Sequence, residues 1–343
     1  MRSSRLSSPA AVISRANPIR LDQLSNPFGP SPLVLDTLAA DLAKPLDRAT
    51  LFRTLLEQLT NVVGLPASSF FLANGAESIL RSLYLTQRDV GPVILFPPSD
   101  PEDLRRADTL ALETISISRG STFRPTLDLE LVAELPPTAM AVITTPNDPT
   151  GTVAGSQDVV RLARACRLVV IDERHGGYQA QSLLPLAREF DNVVVIQSFE
   201  TWAGLAALPF AYAAGAPSIV RKLRDVSEPA EPSAAALIAA RATLNDLIGV
   251  NSTVRRVRLE RSRLYRMLRK LNVVTPYPSW CNFLLVRIER GTRSEIDRGL
   301  RDRGVSVHLP SHRELAGFIR VSATYPEETD ALKSALIEIS RDL

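Results

Sequence analysis

Residues 140–173 read MAVITTPNDPTGTVAGSQDVVRLARACRLVVIDE. Two short apolar runs, Met140–Thr144 and Leu168–Asp172, have the continuous hydrophobicity of parallel strands that are buried on both faces. A turn rich in Pro, Asn and Gly follows the first run, and the helical stretch Gln157–Ala165 precedes the second. A strand, a crossover helix and a second parallel strand form the repeating unit of a doubly wound α/β sheet.

The same pattern continues on both sides of this unit. Val93–Phe96 and Val193–Gln197 are further short apolar runs bounded by Pro, Gly or Asp. We therefore predict an α/β fold with a doubly wound, mostly parallel sheet. This large domain is expected over residues 31–230, after an N-terminal arm over residues 1–30.

The pattern changes after the large domain, and we predict a smaller α+β domain over residues 231–343. A helical region runs from Ser233 to about Leu271 and is expected to break near Gly249. The apolar face of its second half carries Val254, Val257, Leu264, Leu268 and Leu271. Further elements are expected at Asn282–Ile288 (strand), Ser294–Arg303 (helix), Val305–His308 (strand), Phe318–Ser322 (strand) and Pro326–Leu343 (helix).

Composition excludes several classes of protein. Of the 343 residues, 45% are hydrophobic and 22% are charged, which is typical of a globular chain with a large core. A net charge of +3 is too small to indicate a nucleic-acid partner, and no apolar run is long enough to span a membrane. Two cysteines, Cys166 and Cys281, cannot build a disulfide framework or a zinc site, so we expect no metal and a cytoplasmic location. The first twenty residues lack an apolar core, and we expect a disordered start instead of a signal peptide.

Seven segments carry motifs in a fixed order along the chain. They are residues 24–32 (LSNPFGPSP), 71–80 (FLANGAESIL), 145–151 (TPNDPTG), 171–175 (IDERH), 197–212 (QSFETWAGLAALPFAY), 282–286 (NFLLV) and 318–328 (FIRVSATYPEE). In this order they resemble the histidinol-phosphate aminotransferase branch of the fold-type I, pyridoxal-phosphate-dependent aminotransferases. The resemblance spans about residues 21–343 and implies that family's two-domain fold.

The resemblance also implies roles for individual residues. The turn and helix start at Asn74, Gly75, Ala76 and Glu77, with Ser198, match the phosphate cradle, where free backbone N–H groups bind an anion. Asp172 matches the carboxylate that keeps the cofactor's ring nitrogen protonated. Asn26 and Arg320 match substrate-binding positions, Arg320 as a bidentate partner of a carboxylate. From the residues alone, these positions also fit a glycine turn, a strand-end cap and a surface arginine.

The position of the family's Schiff-base lysine is occupied by Thr201. Threonine has no amine, so it cannot bind the cofactor covalently or transfer the substrate's α-proton. None of the chain's four lysines offers a substitute for the Schiff-base lysine. They are Lys44, Lys222, Lys270 and Lys333.

Other positions around the implied cofactor also depart from the family. Pro209 stands where an arginine pairs with the phosphate, and Glu200 replaces a serine beside that phosphate. Asp148 replaces an asparagine that donates a hydrogen bond to the ring oxygen, and an ionised Asp only accepts. His175 replaces a tyrosine. We therefore expect weak or absent pyridoxal-phosphate binding and no cofactor, although Arg174 is a cation that folding could aim into the cleft.

Three functions follow as hypotheses. In the first, the chain is an aminotransferase-fold pseudoenzyme, a regulatory subunit or a protein with a repurposed cleft for a small molecule. In the second, it is a cofactor-independent enzyme with His175 as acid and base, its pKa raised by Asp172 and Glu173. In the third, it is an atypical aminotransferase or decarboxylase that binds pyridoxal or pyridoxamine phosphate noncovalently.

The resemblance also implies a partner. In this family the cleft lies between two subunits and the N-terminal arm contributes to it. We expect a homodimer, or a heterodimer with a lysine-bearing relative, and no nucleic-acid or membrane partner. The arginine-rich face of the long helix is expected to be the solvated side of an amphipathic helix.

Overall fold

The computed structural model describes residues 18–45, 47–179, 181–226 and 231–343. The expectation of a disordered start concerns residues that lie almost wholly outside these ranges. The strands are β1 Ile19–Leu21, β2 Phe70–Ala73, β3 Val93–Leu95, β4 Thr114–Ser116, β5 Met140–Thr144, β6 Leu168–Glu173, β7 Val193–Ser198, β8 Ala211–Gly215, β9 Val274–Pro276, β10 Phe283–Ile288, β11 Val305–Val307 and β12 Phe318–Ser322. The α-helices are α1 Pro32–Leu42, α2 Arg48–Val63, α3 Ala76–Leu85, α4 Pro101–Thr109, α5 Leu129–Ala133, α6 Ser156–Ala165, α7 Leu186–Glu189, α8 Pro217–Val226, α9 Ala234–Asn245, α10 Leu247–Leu268, α11 Arg293–Asp302 and α12 Pro326–Asp342.

A seven-stranded sheet in the order β2-β8-β7-β6-β5-β3-β4 forms the centre of the fold. The neighbours from β4 to β7 pair in parallel, and β8 pairs antiparallel with both β7 and β2. The predicted doubly wound, mostly parallel sheet is confirmed. Because β8 alone is reversed, β2, β5, β6 and β7 all end at the same edge of the sheet.

Both faces of this sheet are covered, as the continuous apolar runs predicted. Alternate residues of β5 enter different cores: Ala141 and Ile143 join one cluster, and Met140 and Val142 join the other. Helix α6 packs in the first cluster and helix α3 in the second. A strand buried on both sides has no polar face, which explains why its sequence does not alternate.

The C-terminal part of the chain contains the antiparallel sheet β12-β10-β9, and β1 from the N-terminal arm pairs in parallel with β11. The five elements predicted after the long helical region are present within about one residue of their expected bounds. Strand β1 was not predicted, since a three-residue strand that pairs with distant chain has no local sequence signal.

The long helical region breaks at a different residue from the one predicted. The sequence indicated a break near Gly249, but α9 ends at Asn245 and α10 begins at Leu247. The side chain of Asp246 accepts a hydrogen bond from the backbone N–H of Gly249 at 3.1 Å and so caps α10. A glycine in the first turn of a helix is tolerated, whereas an Asp before that turn starts a new helix.

The two helices of this region pack in different cores. Leu237 and Ala240 of α9 pack with Leu55 and Leu59 of α2 beside the large sheet. The predicted apolar face of α10 lies in the core of the small sheet, where Val254, Val257, Leu264 and Leu268 are buried and Leu271 is partly buried. The domain boundaries proposed from the sequence remain a prediction. No helix in the described part of the chain is long and apolar enough to cross a membrane.

Candidate active site

The loops that follow β2, β6 and β7 meet at one edge of the large sheet and enclose a cavity of about 260 Å³. Seven residues predicted as site residues line it: Asn74, Gly75, Ala76, Glu77, Ser198, Glu200 and Thr201. Arg174 and Pro209 complete the lining. Asn74 and Thr201, 127 positions apart in sequence, meet here because the carboxyl ends of parallel strands lie on the same side of a sheet.

The turn before α3 places a glycine directly before a helix N-terminus, as its sequence indicated. Gly75 has a φ of +81° and precedes Ala76, the first residue of α3. A Cβ built on Gly75 would lie 2.9 Å from Oε1 of Glu200, so the carboxylate lies directly against the turn. The hydroxyl of Ser198 donates to the same oxygen at 3.1 Å. The carboxylate of Glu200 therefore lies at the positive end of the α3 dipole.

Opposing effects act on the Glu200 carboxyl. Burial raises its pKa, and the hydrogen bonds from the Ser198 hydroxyl and the Ala76 backbone lower it, as does the charge of Arg174. Burial is the largest of these, so the pKa lies above its ordinary value. Burial disfavours the ionised form of Glu200, and the helix N-terminus and Arg174 stabilise it.

Arg174 is the partner of Asp172. Its Nε donates to Oδ2 of Asp172 at 2.7 Å, and its backbone N–H donates to Oδ1 at 3.0 Å. Nη1 contacts Glu77 on the other side at 2.5 Å. Burial alone would lower the pKa of Arg174, but Asp172 and Glu77 more than offset it and hold the pKa well above the ordinary value. The carboxylate of Asp172, whose side chain is 1% exposed, is thus paired within the chain.

Glu77 extends this pairing away from the cavity. Its second carboxylate oxygen contacts Arg106, and Arg106 in turn contacts Oδ1 of Asp103 at 3.1 Å. Asp103 is 3% exposed, and burial raises its pKa to about 6 against the opposing charges of Arg174 and Arg106. These ion pairs form one continuous network that joins the buried carboxylates of Asp172 and Asp103 through the exposed Glu77.

Thr201 is held in the wall of the cavity by three hydrogen bonds. Its hydroxyl donates to the carbonyl of Arg174 at 3.2 Å. Its own carbonyl accepts from the backbone N–H of Asn26 at 2.9 Å and from the hydroxyl of Tyr178 at 3.3 Å. The chain's four lysines all lie among the described residues, and none of them lines this cavity.

Asn26 was expected to bind substrate, but the structure uses it to attach the N-terminal arm. Its Nδ2 donates to the carbonyl of Trp202 and to the hydroxyl of Thr253, each at 2.9 Å, and its Oδ1 accepts from the backbone of Phe28. With these polar atoms occupied, Asn26 lies beneath the cavity wall and does not line it.

Arg320 and Asp148 form a buried ion pair with each other. Nη1 of Arg320 lies 2.6 Å from both carboxylate oxygens of Asp148, and Nη2 donates to the carbonyl of Asp22 at 2.9 Å. Burial raises the pKa of Asp148, but the charges of Arg320 and His175 outweigh burial. The pKa of Asp148 therefore lies below its ordinary value. Asp148 faces a second, smaller cavity of about 130 Å³ with His308, and does not line the first cavity.

The expectation of a raised pKa for His175 is wrong, because burial outweighs the neighbouring carboxylates. His175 is 4% exposed, and burial lowers its pKa to about 4, although the charges of Asp148 and Asp172 oppose this. Its Nδ1 is buried without a hydrogen-bond partner among the described residues. A neutral imidazole is the form that a buried site with nearby arginines favours. His175 does not line the first cavity.

Two features of the site were not predicted. Arg174 was considered as a cation near the cleft, but its pairing with Asp172 was missed, although a spacing of two residues at a strand end allows such a contact. His308 was not predicted as a site residue, because it lines the same cavity as Asp148 only after the chain has folded. The one signal in the sequence was a histidine at the end of a short strand.

Comparison with known proteins now identifies the relatives of this chain. It is 31% identical over 335 residues to histidinol-phosphate aminotransferase from Roseiflexus castenholzii, which covers 94% of this chain and 90% of that protein. A putative histidinol-phosphate aminotransferase structure from Erwinia carotovora atroseptica superposes with a TM-score of 0.86 at 18% identity, covering 95% of this chain and 96% of that one.

A further solved structure bears on the cofactor. Histidinol-phosphate aminotransferase from Sinorhizobium meliloti, solved in complex with pyridoxal 5'-phosphate, superposes with a TM-score of 0.82 at 23% identity and covers 94% of this chain and 91% of that one. The expectation that no cofactor is used and that pyridoxal phosphate binds weakly or not at all is corrected by the family match and the 31% identical relative, with which this structure agrees. The family and these relatives point to pyridoxal-phosphate binding.

The remaining comparison is with family models. The model described as aminotransferase class I and II matches residues 115–336, which include β5, β6, β7 and the loops that carry Arg174 and Thr201. Its match covers more than half of the chain and agrees with the histidinol-phosphate aminotransferase relatives. This chain belongs to the aminotransferase class I and II family.

Proposed function

We propose that this chain binds pyridoxal phosphate or pyridoxamine phosphate noncovalently and does not carry out lysine-dependent transamination. The observation that carries the proposal is Thr201, whose hydroxyl bonds to the carbonyl of Arg174 in a cavity wall that contains no lysine among the described residues. Covalent binding of the cofactor aldehyde needs a primary amine. Membership of the family supports the choice of ligand.

Two features of the cleft fit the charged groups of such a ligand. The N-terminus of α3 at Gly75 and Ala76 fits a phosphate, and the buried carboxylate of Asp172 fits a protonated ring nitrogen. When bound, the cofactor supplies an electron-withdrawing ring that stabilises negative charge on a substrate carbon. Glu200 now lies at the first of these positions and must shift before a phosphate is bound, whereas Arg174 pairs with Asp172 at the second.

The substrate-side residues give less support to turnover. Arg320, which the resemblance assigns to a substrate carboxylate, is already paired with Asp148 at 2.6 Å. His175, the alternative acid and base, is buried with its pKa lowered to about 4 and lies outside the cavity lining. We therefore favour a regulatory or otherwise noncatalytic role over a cofactor-independent enzyme.

A working aminotransferase is the second candidate. It is favoured by the 31% identity to the Roseiflexus castenholzii enzyme over 94% of this chain. In that case the amine that Thr201 lacks must come from the amino substrate or from another chain. The heterodimer with a lysine-bearing relative, expected from the resemblance, would supply it.

The test compares the natural chain with Thr201→Lys. Each protein is saturated with pyridoxal phosphate, reduced with borohydride, denatured and mapped by peptide mass. We expect saturable binding by calorimetry in both proteins, but a covalent adduct at residue 201 only in the variant. Amino acids and histidinol phosphate are then assayed for half-transamination by the natural chain. Turnover there would contradict the noncatalytic proposal and favour the second candidate.

We further propose that the chain is a homodimer, or a heterodimer with a lysine-bearing relative, in the cytoplasm. The N-terminal arm supports this, because Asn26 fixes it against the loop that carries Thr201, at the position where the family's arm joins the cleft. Light scattering over micromolar concentrations tests the proposal, and a stable monomer would contradict it.

A further inference from the structure

We propose that the Glu200 carboxylate is a built-in competitor of the cofactor's phosphate, because both groups need the N-terminus of α3 and the charge of Arg174. This inference rests on the proposed function. In the ligand-free chain Glu200 satisfies the anion site from within, and a phosphate-bearing ligand binds by displacing it.

The Glu200 carboxylate lies where a phosphate at the N-terminus of α3 would bind. Oε1 of Glu200 lies 2.9 Å from the point where a Cβ on Gly75 would be, and the backbone of Ala76 at the helix start lowers the pKa of this carboxyl. These are the groups that a phosphate at this helix end would use. A phosphate with nearly two negative charges and an ionised carboxylate repel each other at such a distance, so the two cannot share the turn.

Positive charge is scarce in this cavity. Arg174 is the one cation among the described residues that line the cavity, and its charge acts on Glu200. Pro209, in the same lining, carries no charge and no N–H. A phosphate in this cavity therefore depends on Arg174 and the helix end, and both already serve Glu200.

Glu200 is held by fewer strong contacts than Arg174 and is the side chain that a ligand would displace. Arg174 is anchored by Asp172 and Glu77, and its side chain is 15% exposed. Glu200 is only partly buried, and the Ser198 hydroxyl is the one side-chain donor recorded for its carboxylate among the described residues. Displacing Glu200 thus breaks fewer strong contacts than displacing Arg174. If the anion site is free of Glu200 for only a fraction of the time, the apparent Kd of its ligand equals the intrinsic Kd divided by that fraction.

The test removes the carboxylate without altering the rest of the cavity. Glu200→Gln and Glu200→Ala are compared with Glu57→Gln, an exposed residue of α2 outside the cavity lining, which loses the same charge. Calorimetry measures the Kd for inorganic phosphate, for pyridoxal phosphate and for pyridoxal, which has no phosphate. Circular dichroism confirms that each variant is folded.

We expect Glu200→Gln and Glu200→Ala to bind inorganic phosphate and pyridoxal phosphate about 10- to 100-fold more tightly, the scale of one charge-assisted contact. Glu57→Gln should change neither Kd more than about twofold. Pyridoxal should bind equally to all the proteins, because it does not contact the anion site.

The failures of the two proposals are distinguishable. If the natural chain binds pyridoxal phosphate and both Glu200 variants bind it no more tightly, the competitor is refuted while the proposed function stands. If the Glu200 variants gain affinity for inorganic phosphate but no protein binds pyridoxal phosphate, the competitor is supported and the proposed function falls. If Glu57→Gln gives the same gain, the effect is one of net charge and the competitor is refuted.

Discussion

Charged side chains in the cleft and on the outer surface between α10 and α12 follow different rules. In the cleft, Arg174 contacts Asp172 at 2.7 Å and Arg320 contacts Asp148 at 2.6 Å. The surface holds an open cavity of about 570 Å³ whose lining includes four exposed cations. They are Arg266, Arg269, Lys270 and Lys333, and none forms an ion pair with a described residue.

The difference between the two regions shows that a buried charge needs partners that an exposed charge does not. Removing a charge from water costs several kcal/mol, so a buried arginine needs polar partners, and carboxylates supply them for Arg174 and Arg320. An exposed cation keeps its hydration and needs no partner. The cleft therefore carries internal pairs at the positions that the resemblance assigns to ligand groups, and the same substitution should have very different consequences in the two regions.

The largest expected effect comes from breaking the buried pair. Arg320→Met leaves Asp148 buried without its partner, and we expect the free energy of unfolding to fall by about 3–5 kcal/mol. Urea denaturation followed by circular dichroism measures this. The double variant Arg320→Met with Asp148→Leu removes both charges and should recover most of the loss. A double variant that is no more stable than the single one would show that desolvation of Asp148 is not the cause.

The next effect concerns a buried group without a charge. The native pKa of His175 is lowered from 6.5 to about 4, so between these values the unfolded chain binds a proton that the native chain does not. Stability is therefore lost as pH falls from about 6.5 towards 4, and His175 should contribute about 2 kcal/mol of loss between pH 7 and pH 5. His175→Gln should reduce the pH dependence by this amount in urea denaturation at both values. Parallel curves for the two proteins would contradict the burial of a neutral imidazole.

A smaller effect is expected at the start of α10. Asp246→Ala removes the acceptor for the backbone N–H of Gly249, and loss of such a cap costs about 1 kcal/mol. Asp246→Asn keeps an acceptor and serves as the matched control, which should stay within about 0.5 kcal/mol of the natural chain. Equal losses in the two variants would mean that the negative charge, and not the hydrogen bond, stabilises the helix start.

The smallest effect is expected on the surface. The double variant Arg266→Ala with Lys270→Ala removes two exposed cations, and the free energy of unfolding should change by less than about 0.5 kcal/mol. Denaturation at low and high salt checks this result. A loss of more than about 1 kcal/mol would show that these cations are held by contacts and would remove the contrast with the cleft.

Much of the fold was predictable because its signals are local. The continuous apolar run of β5 identified a strand buried on both faces, and the predicted bounds Met140–Thr144 are those observed. The same holds for Phe318–Ser322 of β12. The break between α9 and α10 was misplaced by about three residues, because Asp246 caps α10 and Gly249 is tolerated in its first turn.

The candidate site was predictable as a set of positions. The loops after parallel strands meet at one sheet edge, and the order of the motifs resembles one family. These two signals predict that Asn74, Glu77, Ser198, Glu200 and Thr201 lie together, and all five line one cavity. The resemblance also drew attention to the missing lysine at Thr201. The inference from changed residues to the absence of a cofactor was wrong, because the family and its relatives point to pyridoxal phosphate.

The sequence by itself determined which residue types follow each strand of the large sheet. It also determined that residue 201 carries a hydroxyl and no amine. Only the tertiary structure decided how the charges are shared. Arg320 and Asp148 lie 172 positions apart, and no local pattern indicates their pairing. The pKa of His175 falls because of burial, which outweighs the neighbouring carboxylates. Charge partners and desolvation depend on distances between remote segments, and those distances exist only after the sheet has assembled.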